Sequence, residues 1–147
     1  MNTRSPIHVT RMAAWSLAIL SLMVLSGCAG NKIDQPEGAP LSGADITNLL
    51  VGNTVNGAVG AQSFSFYYKD PVSVSGVIGQ QGDDDSGTWE IKGENTYCND
   101  WIDFFDGVQR CYQWYKTERG YVLENVDAYH LRPLVVYGVE KGNPLGF

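Results

Sequence analysis

Residues 62–69 read Gln62-Ser63-Phe64-Ser65-Phe66-Tyr67-Tyr68-Lys69, and they alternate. Phe64, Phe66 and Tyr68 share one face, while Ser63, Ser65 and Tyr67 share the other. A period of two with aromatics on one side is a strand with one buried face, since a 3.6-residue period would scatter those rings around a helix. Asp70-Pro71 breaks the run, and Val72 to Ile78 alternates again. The polar stretch Gly79 to Ser86, G-Q-Q-G-D-D-D-S, reads as a turn, after which Gly87 to Lys92 places Trp89 and Ile91 on one side. Further on, Gln109 to Thr117 and Tyr121 to Val126 form a hairpin across Glu118-Arg119-Gly120. Leu131 to Glu140 is a last strand, with Pro133 marking an edge or a strand start.

Upstream lies one expected helix. Ser42 sits three residues before Asp45, a variant of the capping box, and Ile46, Leu49 and Leu50 follow at helical spacing before Gly52-Asn53 ends it. The fold class is therefore mainly β: an antiparallel barrel or sandwich of about seven strands with one short N-terminal helix. No crossover helices are available, which excludes a parallel sheet.

The chain has 147 residues, 44% hydrophobic and 18% charged, with 10 Lys+Arg against 16 Asp+Glu for a formal charge of −6. This suits one ordinary domain and argues against a disordered chain. The acidic balance, with no basic run, argues against nucleic-acid binding, which needs cations to displace counterions from phosphates.

The N-terminus is an export signal. Met1 to Arg11 carries Arg4 and Arg11 and no acid, and Met12 to Leu25 is an almost unbroken apolar run. Its 14 residues would span about 21 Å as a helix, short of the ~30 Å hydrocarbon core, so a signal h-region is the better reading than a spanning helix. The run ends in Leu25-Ser26-Gly27-Cys28, which resembles the lipobox of bacterial lipoproteins. That resemblance implies cleavage after residue 27, diacylglyceryl attachment to the Cys28 thiol and acylation of its new amine. Several acyl chains anchor a protein stably without a spanning helix. Ala29 stands where an Asp in such lipoproteins commonly signals inner-membrane retention, so the resemblance implies the outer membrane, facing the periplasm.

Cleavage would remove Arg4 and Arg11 and no acid, taking the charge from −6 to −8. It would also leave His130 as the sole histidine and Cys98 and Cys111 as the remaining thiol pair. In an oxidising compartment an even leftover pair reads as a disulfide. A turn at Asp106-Gly107 would instead set Cys98 opposite Tyr115. A bridge needs Cα atoms within ~7 Å, so it requires Asn99 to Arg110 to form a longer closed loop. The bridge is favoured, because ~3 kcal/mol for a loop of this size outweighs one turn preference. Residues 1–27 are thus a signal, 28–41 the lipidated Cys and a Pro- and Gly-containing tether, and 42–147 a single β-rich domain.

The domain also resembles small exported proteobacterial proteins, over Leu41 to Pro144. The likeness is carried by the order of Leu41-Ser42-Gly43-Ala44-Asp45-Ile46, Gly52-Asn53-Thr54-Val55-Asn56-Gly57, Asp85-Ser86-Gly87-Thr88-Trp89, Cys98 with Trp101, Arg110-Cys111-Tyr112 and Gly142-Asn143-Pro144. It implies a secreted β-rich domain with a Cys pair, and no activity. Gly87-Thr88-Trp89 is also similar to the lipocalin Gly-x-Trp, but that motif opens the first strand there and lies mid-chain here, so no ligand cavity is carried over.

Candidate chemistry is sparse. His130 with Asp127 would make a base and its orienting carboxylate, but no Gly-x-Ser-x-Gly accompanies them. Asp83-Asp84-Asp85 lacks the alternating spacing of a calcium loop and reads as a solvated turn, and no His/Cys cluster suggests zinc. No metal or cofactor is therefore expected. Asp100, Asp103 and Asp106 recur among Trp101, Phe104 and Phe105, a pattern a sugar-cleaving site would use, but solvated acids between buried rings make the same pattern and are the favoured reading. As a recognition surface this loop is the best candidate, with Trp101, Phe104 and Phe105 as anchors rimmed by Asp100 and Asp103. The plainer alternative is that its rings fill the end of the barrel. The expected function is a membrane-anchored, non-enzymatic β domain for binding a protein partner or supporting the envelope. An inhibitor of an extracytoplasmic hydrolase such as lysozyme is the alternative, and an enzyme is disfavoured for want of a constellation.

Overall fold

A computed structural model of the chain describes residues 36–127 and 132–147. Among them, helix α1 (Gly43–Leu50) precedes eight strands: β1 (Asn53–Val59), β2 (Gln62–Tyr68), β3 (Ser73–Ile78), β4 (Asp84–Lys92), β5 (Thr96–Trp101), β6 (Arg110–Thr117), β7 (Gly120–Asn125) and β8 (Leu134–Lys141). Every neighbour pairs antiparallel in sequence order, and β1 pairs with β8, so the sheet is a closed barrel. Closure leaves no edge strand. Pro133 accordingly marks the start of β8, where its missing N–H costs no ladder bond.

The strands follow from alternation. In β2, Phe64, Phe66 and Tyr68 are buried and the intervening residues are not. Two strands go beyond the stretches that read as β in the sequence. β1 is masked by polar and glycine residues: Val55 points in, and Gly57 is needed because a Cβ there would lie 2.2 Å from the Val135 carbonyl and 2.5 Å from the Phe64 ring. β5 is masked because Tyr97, Cys98 and Asn99 are all buried, which hides its period. The expected turn over Gly79 to Ser86 is also shorter, since β4 begins at Asp84. A closed ring of side chains buries residues on its own terms, whatever their polarity.

Eight strands leave an interior that side chains can just fill. Phe66, Tyr68, Trp89, Tyr97, Trp101 and Trp114 do so, with Val, Leu and Ile around them. Phe64 stacks on Phe66 at 4.4 Å, Phe66 meets Trp101 at 4.6 Å, and Tyr97 meets Trp114 edge-on at 5.9 Å. The gap lined by Phe64, Phe66, Tyr68, Tyr97, Asn99 and Trp114 is too narrow to admit a water molecule.

Helix α1 closes one end. Ser42 caps it: its Oγ accepts the Asp45 N–H at 3.2 Å and donates to Asp45 Oδ2 at 2.6 Å. Ile46 and Leu50 are fully buried beneath it, and the Gly43 N–H donates to the Glu94 carbonyl in the β4–β5 turn. The chain is attached even before the helix. Glu37 bridges Lys116, and the Leu41 N–H donates to the Trp114 carbonyl, so the last residues of the expected 28–41 tether lie on β6. Among the described residues no helix is long and apolar enough to cross a membrane.

Candidate functional site

The end opposite α1 collects the β1–β2, β3–β4, β5–β6 and β7–β8 connections, because successive antiparallel strands alternate in direction. The β5–β6 loop crosses this mouth. Its base is a disulfide: Cys98 and Cys111 are directly paired across β5 and β6, with S–S 2.07 Å and Cα–Cα 4.0 Å. Asn99 pairs with Arg110, so Asp106-Gly107 is not a two-residue hairpin turn. It lies in a tight turn over Phe104–Gly107, where Phe105 (φ 57°) and Asp106 (φ 64°) both take the left-handed conformation. Non-glycine residues there cost about 1–3 kcal/mol each and persist only when their surroundings hold them.

Asp85 supplies that hold. It is the inward residue at the start of β4, only 9% exposed, and its Oδ2 accepts the N–H groups of Asp103 at 3.0 Å and Phe104 at 2.8 Å. Its Oδ1 accepts the Ser86 N–H at 2.7 Å. Burial works against its ionisation, but the three donors outweigh that and hold the carboxyl below its usual range. The Phe105 carbonyl accepts from Arg110 Nη2 at 3.4 Å and from the Val108 N–H at 3.3 Å. Within the aspartate triplet Asp85 thus anchors the loop, and no group of three metal-ligating side chains occurs among the described residues.

Of the expected contact residues, Trp101 is a correction. It is 3% exposed, lies against Phe66 and Phe104, and belongs to the core, so it fills the barrel's end and presents no ring to a partner. The reason is parity: Trp101 shares the inward face of β5 with Tyr97 and Asn99. Gly87 opposite lets the β5 backbone approach closely, since a Cβ there would lie 2.2 Å from the Asp100 carbonyl. Phe104 and Phe105 are half-buried against the core, while Asp100, Asp103 and Asp106 are exposed. The most exposed apolar residue of the loop is instead Ile102, 69% accessible. It was legible only with the register in hand: its N–H donates to the Ser86 carbonyl, extending the ladder and turning its side chain outward beside Asp100.

Asp127 holds the other side of the disulfide, its Oδ2 accepting the Cys111 N–H at 3.0 Å. Its expected companion His130 lies outside the described residues, as does Cys28. Inside the barrel the hydroxyls of Tyr68 and Tyr97 share a hydrogen bond at 2.9 Å, and Asn99 Nδ2 donates to Tyr97 at 3.2 Å. Burial pushes both phenols above their usual range.

These features define a class: a closed, side-chain-filled antiparallel barrel, stoppered by a helix at one end and by a disulfide-based loop at the other. Comparisons with protein-family models, with curated proteins and with solved structures return no match.

Proposed function

We propose that this chain is a lipid-anchored protein of the bacterial cell envelope, held through Cys28, whose barrel works by contact at its surface rather than by catalysis. The anchor follows from the basic start, the apolar run and Leu25-Ser26-Gly27-Cys28 in register. Ala29 favours the outer membrane, with the domain facing the periplasm. The observation that carries the contact reading is the filled interior. Aromatic rings occupy the space where a carrier barrel would keep its ligand, which directs recognition to the outer surface and the mouth. An acidic surface suits a protein partner in the envelope and does not suit nucleic acid.

Replacing Cys28 with Ser tests the anchor. The wild-type chain is expected in the membrane fraction, with an N-terminal peptide carrying acyl mass on Cys28. Cys28→Ser is expected to be unprocessed and unacylated. A processed, acylated Cys28→Ser chain would overturn the reading.

A further inference from the structure

The mouth carries a chemistry that the contact reading leaves open. The facing ends of β3–β4 and β5–β6 carry Asp83, Asp84, Asp85, Asp100, Asp103 and Asp106 against Arg110, whose Nη2 donates to the Phe105 carbonyl. Lys92 ends β4, pairs with Glu90 at 3.2 Å and donates from Nζ to Gln109 Oε1 of the β5–β6 loop at 2.6 Å, so its charge is already engaged there. Asp85 is turned inward, and the other five carboxylates are exposed. Like charges gathered on one rim create a field that attracts a cationic surface.

Beside the rim is a shape that fits one kind of side chain. An open depression of about 350 Å³ is lined by Ser86, Gly87, Thr88, Asp100, Trp101 and Ile102. Thr88 and Asp100 are directly paired across β4 and β5, and Ile102 follows beside Ser86. The outer walls therefore combine one carboxylate, two hydroxyls and an isoleucine left 69% exposed. A long aliphatic stem ending in a cation matches that set, with the stem on the apolar side chain and the charge on the acid. The disulfide and the Asp85 bonds already hold the loop in place, which lowers the ordering cost of binding.

We propose that this acidic lip is the docking surface for a cationic protein, one of whose Lys or Arg side chains enters the depression, its stem against Ile102 and its head at Asp100 between Ser86 and Thr88. The proposal rests on the contact reading above and names the partner's chemistry.

The test has two arms. In the first, the full-length isotope-labelled chain in non-ionic detergent is titrated with a penta-arginine peptide, with penta-glutamate as the control. Amide signals of Ser86 to Thr88 and Asp100 to Ile102 are expected to shift most, and saturably, with arginine alone. Asp100→Asn and Ile102→Ser should each weaken binding about fivefold, the scale of a single charge-assisted or apolar contact. Glu118→Gln, on the β6–β7 turn at the α1 end, should change nothing. Shifts spread over every exposed acid, or equal losses from Glu118→Gln and Asp100→Asn, would mean unspecific charge attraction and overturn the proposal.

In the second arm, a photo-crosslinking residue replaces Ile102 or the exposed Tyr137 of β8 in cells. A basic protein captured from position 102, and lost on adding Asp100→Asn, supports the lip. Adducts from position 137 alone keep the contact reading and overturn this surface. No adduct from either position overturns both.

Discussion

The Asp85 carboxylate accepts the backbone N–H of Phe104 at 2.8 Å at the barrel mouth, joining two segments 19 residues apart. With the Asp103 and Ser86 donors it fastens the loop that carries the left-handed Phe105 and Asp106. Asp85→Ala should cost about 1.5–3 kcal/mol, because it strands the N–H groups of a charge-assisted cluster. Amide exchange from Asp103 to Val108 should rise while the barrel strands stay protected. Unchanged protection in that loop would remove Asp85 from its anchoring role.

The same carboxylate sets an acid limit. Its pKa is lowered in the folded chain, so the unfolded state binds the proton more readily. The stabilisation it contributes is complete above the unfolded value of 3.8 and is lost as pH falls through the lower, folded value. A pH titration of loop exchange should show wild type loosening below about pH 4, with Asp85→Asn already loose at neutral pH. Identical profiles for the two chains would contradict this.

The interior tyrosines set an alkaline limit. Burial pushes Tyr112 up to about 12, and Tyr68 and Tyr97 are raised as well. A group with a raised folded pKa contributes stability that is full below the unfolded value of 10.0 and declines as pH rises toward the folded one. Ultraviolet difference spectra should show these phenols ionising together with unfolding, after the exposed ones. Tyr97→Phe should cost about 1–3 kcal/mol by leaving Tyr68 and Asn99 without their shared oxygen.

Cys98 and Cys111 close a separation of 13 residues, for which chain entropy gives about 3 kcal/mol. Without reductant the native protein should weigh two hydrogens less than the dithiol. The Cys98→Ala/Cys111→Ala double variant should unfold earlier by about that energy. Two alkylatable thiols in the native protein would refute the bond.

Trp101 and Ile102 are neighbours with opposite fates. Trp101→Ala should lose about 3–5 kcal/mol, the cost of an emptied aromatic site in a core. Ile102→Ser should change stability by no more than about 0.5 kcal/mol, as exposed positions do. Thermal unfolding of the pair decides it, and equal losses would place Ile102 in the core.

The sequence by itself determined the helix with its cap, the cysteine pairing and every strand but β1 and β5. The Phe64-Phe66-Tyr68 alternation marks one buried face, Ser42 and Asp45 start the helix, and Cys98 and Cys111 fix the β5–β6 register. These are local signals, or covalent ones, and they survive without knowledge of neighbours. Barrel against sandwich was decided only by β1 pairing with β8, segments about 80 residues apart whose match no local pattern records. Closure then decided the site. It turned Asp85 and Trp101 into the mouth and put Asp100 and Ile102 outside. Alternation tells which residues share a face, but only the curvature of the closed sheet says which face encloses the core and which meets water.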